Sequence, residues 1–370
     1  MKKIAIIGAS YLQVPLIKKA KDMGLETHVF AWQVGDEGEF IADYFYPISI
    51  IEKEEILQKC REIGIDGIVS IASDLATVTV NYVANELGLI GNSPECTYVS
   101  TNKRAMRERF EACGDPSPKS ICISTYDDLD ESAKSLSYPL IVKPVDRSGS
   151  RGVTLVNDAE NLKRAIDFAW EQGFEKAAVV EEYVTGEEFS VECISWKGRH
   201  RFLTVTKKYT TGAPSFIETG HMEPANISAE TREKIEKVVF HALSSLGVTY
   251  GASHSEIKIR EDGEIRIIEI GARMGGDNIG SSLVELTTRV DFVKAVIETA
   301  MGVEPCFEVE NIGIASIKYI FTAEDIIEFR NIMNKTPEKI VEYSIDEDVS
   351  GTITDSSNRH GYYIMAERRK

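Results

Sequence analysis

Leu140-Ile141-Val142-Lys143-Pro144, with Ser148-Gly149-Ser150-Arg151-Gly152 shortly after it, puts a lysine at the end of an apolar strand ahead of a loop rich in Gly and Ser. Glycine adds no side chain to block an approach, so such a loop can turn its backbone N–H groups toward phosphate. A lysine with no task would sit here as a surface residue on an edge strand, and Pro144 beside it removes a ladder donor. A phosphate ligand accounts for Lys143 better. The loop alone could be an ordinary turn; coupled to Lys143 it points to an anion.

A second pair of stretches works with the first. Glu256-Ile257-Lys258 and Ile267-Ile268-Glu269-Ile270-Gly271-Ala272-Arg273 flank Glu261-Asp262-Gly263, the signature of a hairpin. Adjacent strands lie roughly 5 Å apart, so same-face carboxylates of Glu256 and Glu269 can share a cation. Without a cation they would repel each other. Surface glutamates are common, and the pair alone decides nothing. Arg273, four residues after Glu269, can stabilise a charged phosphoryl or acyl-phosphate transition state. A structural salt bridge is its other reading. Val179-Val180-Glu181-Glu182-Tyr183-Val184, then Glu188, ends a strand in two acids and an aromatic. Backbone groups there can read an adenine edge, and a carboxylate farther on can hold ribose hydroxyls; alternatively Glu181 and Glu182 are simply solvated. His221 and His254 are candidates for substrate contact.

Outward from these stretches, the first third alternates strand and helix. Ile4–Ile7, His28–Ala31 and Gly67–Ser70 read as strands, and Tyr11–Met23 and Val78–Leu87 as helices stopping at Gly24 and Gly88. This rhythm predicts a parallel sheet with right-handed crossovers. Gly8 follows the first strand, but the second and third glycines of a dinucleotide turn are absent. Asp74 lies at a strand end, where open parallel sheets bind ligands; a helix N-cap is its other reading. Farther on, Thr210–Pro224 shows no period and reads as a long functional loop, Ala229–Leu246 as an amphipathic helix.

The chain has 370 residues, too many for one ordinary core, so two or three domains are expected. A formal charge of −17 argues against a nucleic-acid partner, which needs a basic face. The six cysteines form no CxxC pair and read as free core thiols of a reducing cytoplasm. No apolar run is long enough to span a membrane, so no membrane partner is expected.

The ordered series Asn102-Lys103-Arg104-Ala105-Met106, Ile141–Pro144, Ser148–Gly152, Glu181–Val184 with Glu188, Glu256 and Glu269–Arg273 resembles the ATP-grasp superfamily. The resemblance implies a mixed α/β fold in three parts. An N-terminal parallel α/β domain spans 1–98. A two-lobed ATP-grasp domain spans 99–310, its small lobe at about 115–184, and a small C-terminal domain spans 311–370. It also implies ATP and Mg²⁺, with Mn²⁺ as a substitute. By position, Lys103 and Lys143 resemble phosphate-binding lysines, beside the loop Ser148, Gly149, Ser150 and Gly152. Glu181, Glu182 and Val184 resemble the adenine hinge, Glu188 the ribose ligand, Lys208 a further ATP contact, and Glu256 and Glu269 the metal ligands. Many members carry Asn two residues after the second metal glutamate; here Gly271 stands there.

Gly271-Ala272-Arg273-Met274-Gly275-Gly276-Asp277 and Glu218-Thr219-Gly220-His221 look like the amino-acid and carboxylate–amine ligase branch. That implies small-molecule carboxylate and amine substrates. Arg273 is then the catalytic cation, and Asp74, Glu218, His221, His254, Gly275 and Gly276 are substrate-side candidates. A bicarbonate-using or purine-pathway enzyme and a nucleotide-binding regulatory protein stay open as alternatives. A homodimer is compatible with the resemblance.

Overall fold

A computed structural model describes residues 1–127, 129 and 133–368. The first unit runs β1 (Lys3–Ile7), α1 (Val14–Asp22), β2 (Glu26–Phe30), α2 (Glu37–Ile41), β3 (Tyr44–Tyr46), α3 (Lys53–Ile63), β4 (Gly67–Val69), α4 (Asp74–Leu87) and α5 (Pro94–Thr101). Its sheet has the order β3-β2-β1-β4 and every pairing is parallel. β1 is an unbroken apolar run because helices cover both faces of such a sheet. α1 starts three residues later than the spacing predicts. Pro15 lacks an N–H and has a fixed φ, so it suits the first turn of a helix and not its interior.

After α6 (Lys103–Cys113) comes a small antiparallel sheet of β5 (Ser120–Ile123), β6 (Leu140–Pro144), β7 (Thr154–Val156) and β8 (Ala178–Glu182), in the order β5-β8-β6-β7. Helix α7 (Ala159–Gln172) packs Leu162, Ala165, Ile166 and Ala169 onto it. The Gly/Ser loop joins β6 to β7. Its Gly149, Ser150 and Gly152 take φ of +67°, +58° and +74°.

The third sheet is the largest. It contains β9 (Glu187–Trp196), β10 (Arg199–Thr210), β11 (Glu218–Glu223), β12 (Tyr250–Ile259), β13 (Ile265–Gly271), β14 (Gly313–Tyr319), β15 (Ile340–Ile345) and β16 (Gly361–Arg368), in the order β13-β12-β9-β10-β11-β14-β16-β15. Residues 313–368 continue this sheet through the β11–β14 pairing. One face carries Phe189, Val191, Cys193 and Ile257 against helix α8 (Ala229–Ser245). Side chains alternate along a strand, so the opposite face carries Glu188, Glu192, His254, Glu256 and Lys258.

Two expectations are corrected here. Thr210–Pro224 is not one long loop, since Glu218–Glu223 is strand β11, paired on both sides. It was hidden because its buried residues are Gly220, His221 and Glu223, so no apolar alternation marks it. Asp74 is not a helix cap either. Ser73 caps α4 by accepting from the Ala76 N–H, and Asp74 is the first helical residue, its carboxylate left for other work.

Candidate active site

The strand register brings the acids together. Glu256 stands directly opposite Glu269 in the β12–β13 ladder, while across β9 His254 faces Glu192 and Lys258 faces Glu188. This face of the large sheet forms the floor of a cleft. Its roof is the small sheet with the Gly/Ser loop. Among the sequence-derived candidates, Lys103, Lys143, Ser148, Gly149 and Ser150 line it from the loop side and Glu181, Glu182, Val184 and Glu188 from the hinge side. Lys208, Glu218, His254, Glu256, Glu269 and Arg273 complete it.

An adjoining polar cleft shares Lys208, Glu218, His254, Glu256 and Arg273 and adds Asp74, His221 and Gly276. Gly152 and Gly275 line neither. Gly152 sits at the loop base, where a Cβ would meet Pro144 Cγ at 2.8 Å and Gln172 Cβ at 2.9 Å. Gly275 lies behind the floor and donates its N–H to Glu192 at 3.2 Å. A Cβ there would meet His254 Nδ1 at 2.7 Å.

Nearly every floor cation is held by a carboxylate. Lys208 Nζ is 2.5 Å from Glu256 Oε1, with Glu188 at 3.5 Å and Glu218 at 3.7 Å. Burial opposes the Lys208 charge, but these three acids raise its pKa well above the usual lysine range. Lys103 Nζ donates to Glu269 Oε1 at 2.8 Å and to the Arg147 carbonyl at 2.6 Å, so it also tethers the loop. Burial would push His254 down, yet the Glu192 carboxylate at 2.5 Å overrides it and carries the imidazole up to about 9. Glu256 is likewise resisted by burial and then held well below the carboxylate range by Lys208 and His254.

Glu181, on the hinge side, is engaged by two cations. Its carboxylate is buried between Lys143 Nζ at 2.6 Å and the Arg107 guanidinium at 2.9 Å. Burial raises its pKa, and the two cations reverse that shift. Glu181 therefore holds Lys143 in position, with both cations on its carboxylate, while it lines the hinge side of the cleft. Burial also draws Lys143 below the usual lysine range, against the pull of Glu181. At the hinge itself, Glu182 N–H donates to Lys119 O and Tyr183 N–H to Pro139 O. The Glu182 carboxylate accepts from the Ser137 N–H. Val184 donates no backbone hydrogen bond among the described residues, which leaves one free N–H at the cleft edge.

Sequence reasoning passed over several residues. Arg107 and Glu192 support the site from beneath, and no local motif marks either. Arg147 and Arg151 bracket the loop serines. They alone among the arginines and lysines lining the main cleft lack a carboxylate within 4.0 Å among the described residues. Asp277 takes φ +54° and is forked by Arg359 at 2.8 and 3.0 Å, with Arg359 over the Tyr319 ring.

The donor set fits a hard divalent cation. The side chains of Glu256 and Glu269 keep 28% and 26% of their surface open, and each has its Oε2 free of hydrogen bonds and ion pairs among the described residues. No group of three or more His, Cys, Asp or Glu side chains arranged for a metal occurs among the described residues. Two carboxylate oxygens suffice for Mg²⁺ when phosphate oxygens and water supply the rest of its octahedron. No helix of the described residues is long and apolar enough to cross a membrane.

Known proteins resemble this chain in sequence and in fold. Residues 136–281 match the model of the ATP-grasp domain. The alanine–anticapsin ligase of Bacillus subtilis (strain 168) is 27% identical over 272 residues, 65% of this chain and 57% of that protein. Carnosine synthase 1 of Mus musculus is 25% identical over 334 residues, 82% of this chain and 40% of its own length. The chain thus spans about half the length of the curated relatives it matches. Two solved structures share the fold over the whole chain. An L-amino acid ligase from Bacillus licheniformis has a TM-score of 0.83 at 24% identity, covering 100% of this chain and 94% of its own. A phosphoribosylglycinamide synthetase from Anaerococcus prevotii has a TM-score of 0.80 at 20% identity, with the same coverage. The lysine-bearing strand, the Gly/Ser roof and both arms of the cleft floor up to Arg273 thus fall within the matched stretch, and residues 136–281 of this chain are an ATP-grasp domain.

Proposed function

We propose that this protein is a Mg-ATP-dependent carboxylate–amine ligase that works through an acyl phosphate and releases ADP and phosphate. The observation that carries the reading is the cross-strand pair Glu256 and Glu269, open to the cleft beneath the Gly/Ser loop and flanked by Lys103, Lys208 and Arg273. Acids and cations so interleaved suit a polyphosphate that arrives with its own cation. Glu256 and Glu269 would hold Mg²⁺, and the ion would supply neutralisation of phosphate charge. Lys103 and Lys208 then leave these acids and turn to the phosphates. Lys143, kept in place by Glu181, adds a third ammonium. The free Val184 N–H reads the adenine edge, and Glu188 holds the ribose.

The substrate carboxylate attacks the γ-phosphorus in line, ADP departs, and an amine attacks the acyl phosphate. The protein contributes position and charge, and no covalent nucleophile is needed. Glu218, His221, His254 and Gly276 surround the polar cleft, where the acid and amine meet. Three relatives described above are ligases or a synthase by name, which supports a C–N bond as the product. Chromatography of the nucleotide products tests the reading, with ADP and phosphate expected from an active acid and amine pair. AMP and pyrophosphate would instead mark an adenylating enzyme and sink the acyl phosphate.

A further inference from the structure

Arg273 and Asp74 are 199 positions apart in the chain and meet at the junction of the two clefts. Asp74 is presented by the first turn of α4 in the parallel unit; Arg273 follows β13 of the large sheet. Arg273 Nε donates to Asp74 Oδ1 at 2.9 Å and Nη2 to Asp74 Oδ2 at 3.1 Å, a two-pronged pair. Nη1 donates once more, to the Met274 carbonyl at 3.2 Å. A guanidinium has five N–H groups in a rigid fork. Three are used, which leaves one on Nη1 and one on Nη2. Arg273 lines both clefts, and its side chain keeps 16% of its surface open there.

Gly271 makes room for the pair. A Cβ at this position would meet Asp74 Oδ1 at 3.0 Å and both Cζ and Nε of Arg273 at 3.2 Å. Any side chain there crowds the ion pair itself.

We propose that Asp74 is the positioning residue of Arg273: it fixes the guanidinium plane so that the two free N–H groups face the reacting phosphoryl oxygens, and Gly271 is a glycine to admit it. The inference rests on the ligase reading for the task of Arg273. It adds that the parallel unit is part of the catalytic apparatus, since it supplies the carboxylate that orients a cation on the other sheet.

The test combines steady-state ADP release with a signal that needs no turnover. In ¹H–¹⁵N spectra, the Arg273 Nε–H resonance is assigned by its loss in Arg273→Lys. Hydrogen exchange at this Nε–H is slow in the wild type and speeds up in Asp74→Asn. Asp74→Asn lowers kcat roughly tenfold or more, the scale for losing a partner that orients a working group, with the KM for ATP within about twofold. In an Arg273→Ala background the same change has little further effect on kcat. Gly271→Ala, which keeps every charge, lowers kcat in the same way and serves if Asp74→Asn does not fold. Unchanged Nε–H exchange in Asp74→Asn overturns the inference. So does an equal loss of kcat in both backgrounds, which would mean that Asp74 acts on a substrate directly. A wild-type protein that releases no ADP with any acid and amine pair fails the ligase reading, while the Nε–H exchange still decides whether Asp74 orients Arg273.

Discussion

Glu256 and Glu269 are the residues on which the proposed metal site stands. Each has a lysine on one oxygen and, among the described residues, no hydrogen bond or ion pair on the other. Glu256→Gln and Glu269→Gln keep the shape and remove the hard anionic ligand. Each is expected to lose activity by roughly a hundredfold or more, given the several kcal/mol that a metal supplies to charge stabilisation. Rates measured across a Mg²⁺ titration check this, and a near-normal rate at limiting Mg²⁺ removes that residue from the ligand set. Glu223 gives a second prediction at this scale. Burial lifts its carboxyl to about 8, while the hydroxyls of Thr287 and Thr206 at 2.6 and 2.9 Å partly oppose the shift. A carboxyl whose folded pKa lies above its unfolded value binds more protons in the folded state between the two. Its contribution to stability is therefore whole below about pH 4.5 and is lost as pH rises through about 8. Glu223→Gln is expected to flatten the fall of melting temperature over this window. Parallel slopes for wild type and variant would show that Glu223 is not a protonated acid in the fold.

Among the elements, the β6–β7 loop stands apart in charge. The floor lysines and Arg273 have carboxylates within 4.0 Å, whereas Arg147 and Arg151 have none so close among the described residues, and burial followed by repulsion from Arg147 lowers the pKa of Arg151 against the pull of Asp355. An anion between them relieves that repulsion. Hydrogen exchange across Val145–Gly152 is expected to slow when Mg²⁺ and a non-hydrolysable ATP analogue bind, as for a loop that closes over its ligand. Changing Arg147 and Arg151 together to Gln is expected to weaken that binding by roughly tenfold and to reduce its salt dependence, because two charge-assisted phosphate contacts are lost. Calorimetry at two ionic strengths reads both effects. Equal affinity and an equal salt response would leave the loop as a passive cover.

At the scale of the molecule, the main cleft lies between two sheets and a third unit reaches its junction, so a ligand bound there would tie the units together. A ligand that binds only the folded state at 100 times its Kd adds about 2.7 kcal/mol of stability. ATP with Mg²⁺ is expected to raise the melting temperature, and NADH to leave it unchanged. Stabilisation by NADH in place of ATP would revive the turn at Gly8 as a dinucleotide site. The structure gives that turn other work: a Cβ on Gly8 would meet the Gln13 side chain at 2.9 Å, and Gln13 in turn donates to the Ile71 carbonyl.

The sequence by itself determined what is local. Apolar runs ending at Gly or Pro marked β1 and β6, a run ending in Glu181 and Glu182 marked β8, and the Glu261–Gly263 turn set Glu256 against Glu269 within one hairpin. Period-two alternation and turn chemistry act over a few residues, so they are legible in order along the chain. The tertiary structure alone decided which charges meet. Asp74 and Arg273 lie 199 positions apart, and Arg107 meets Glu181 across 74. An ion pair asks for proximity of opposite charges and leaves no periodic trace in either partner. The same reason hid β11, a central strand whose inward His221 and Glu223 face polar neighbours and whose pattern becomes readable only once β10 and β14 lie beside it.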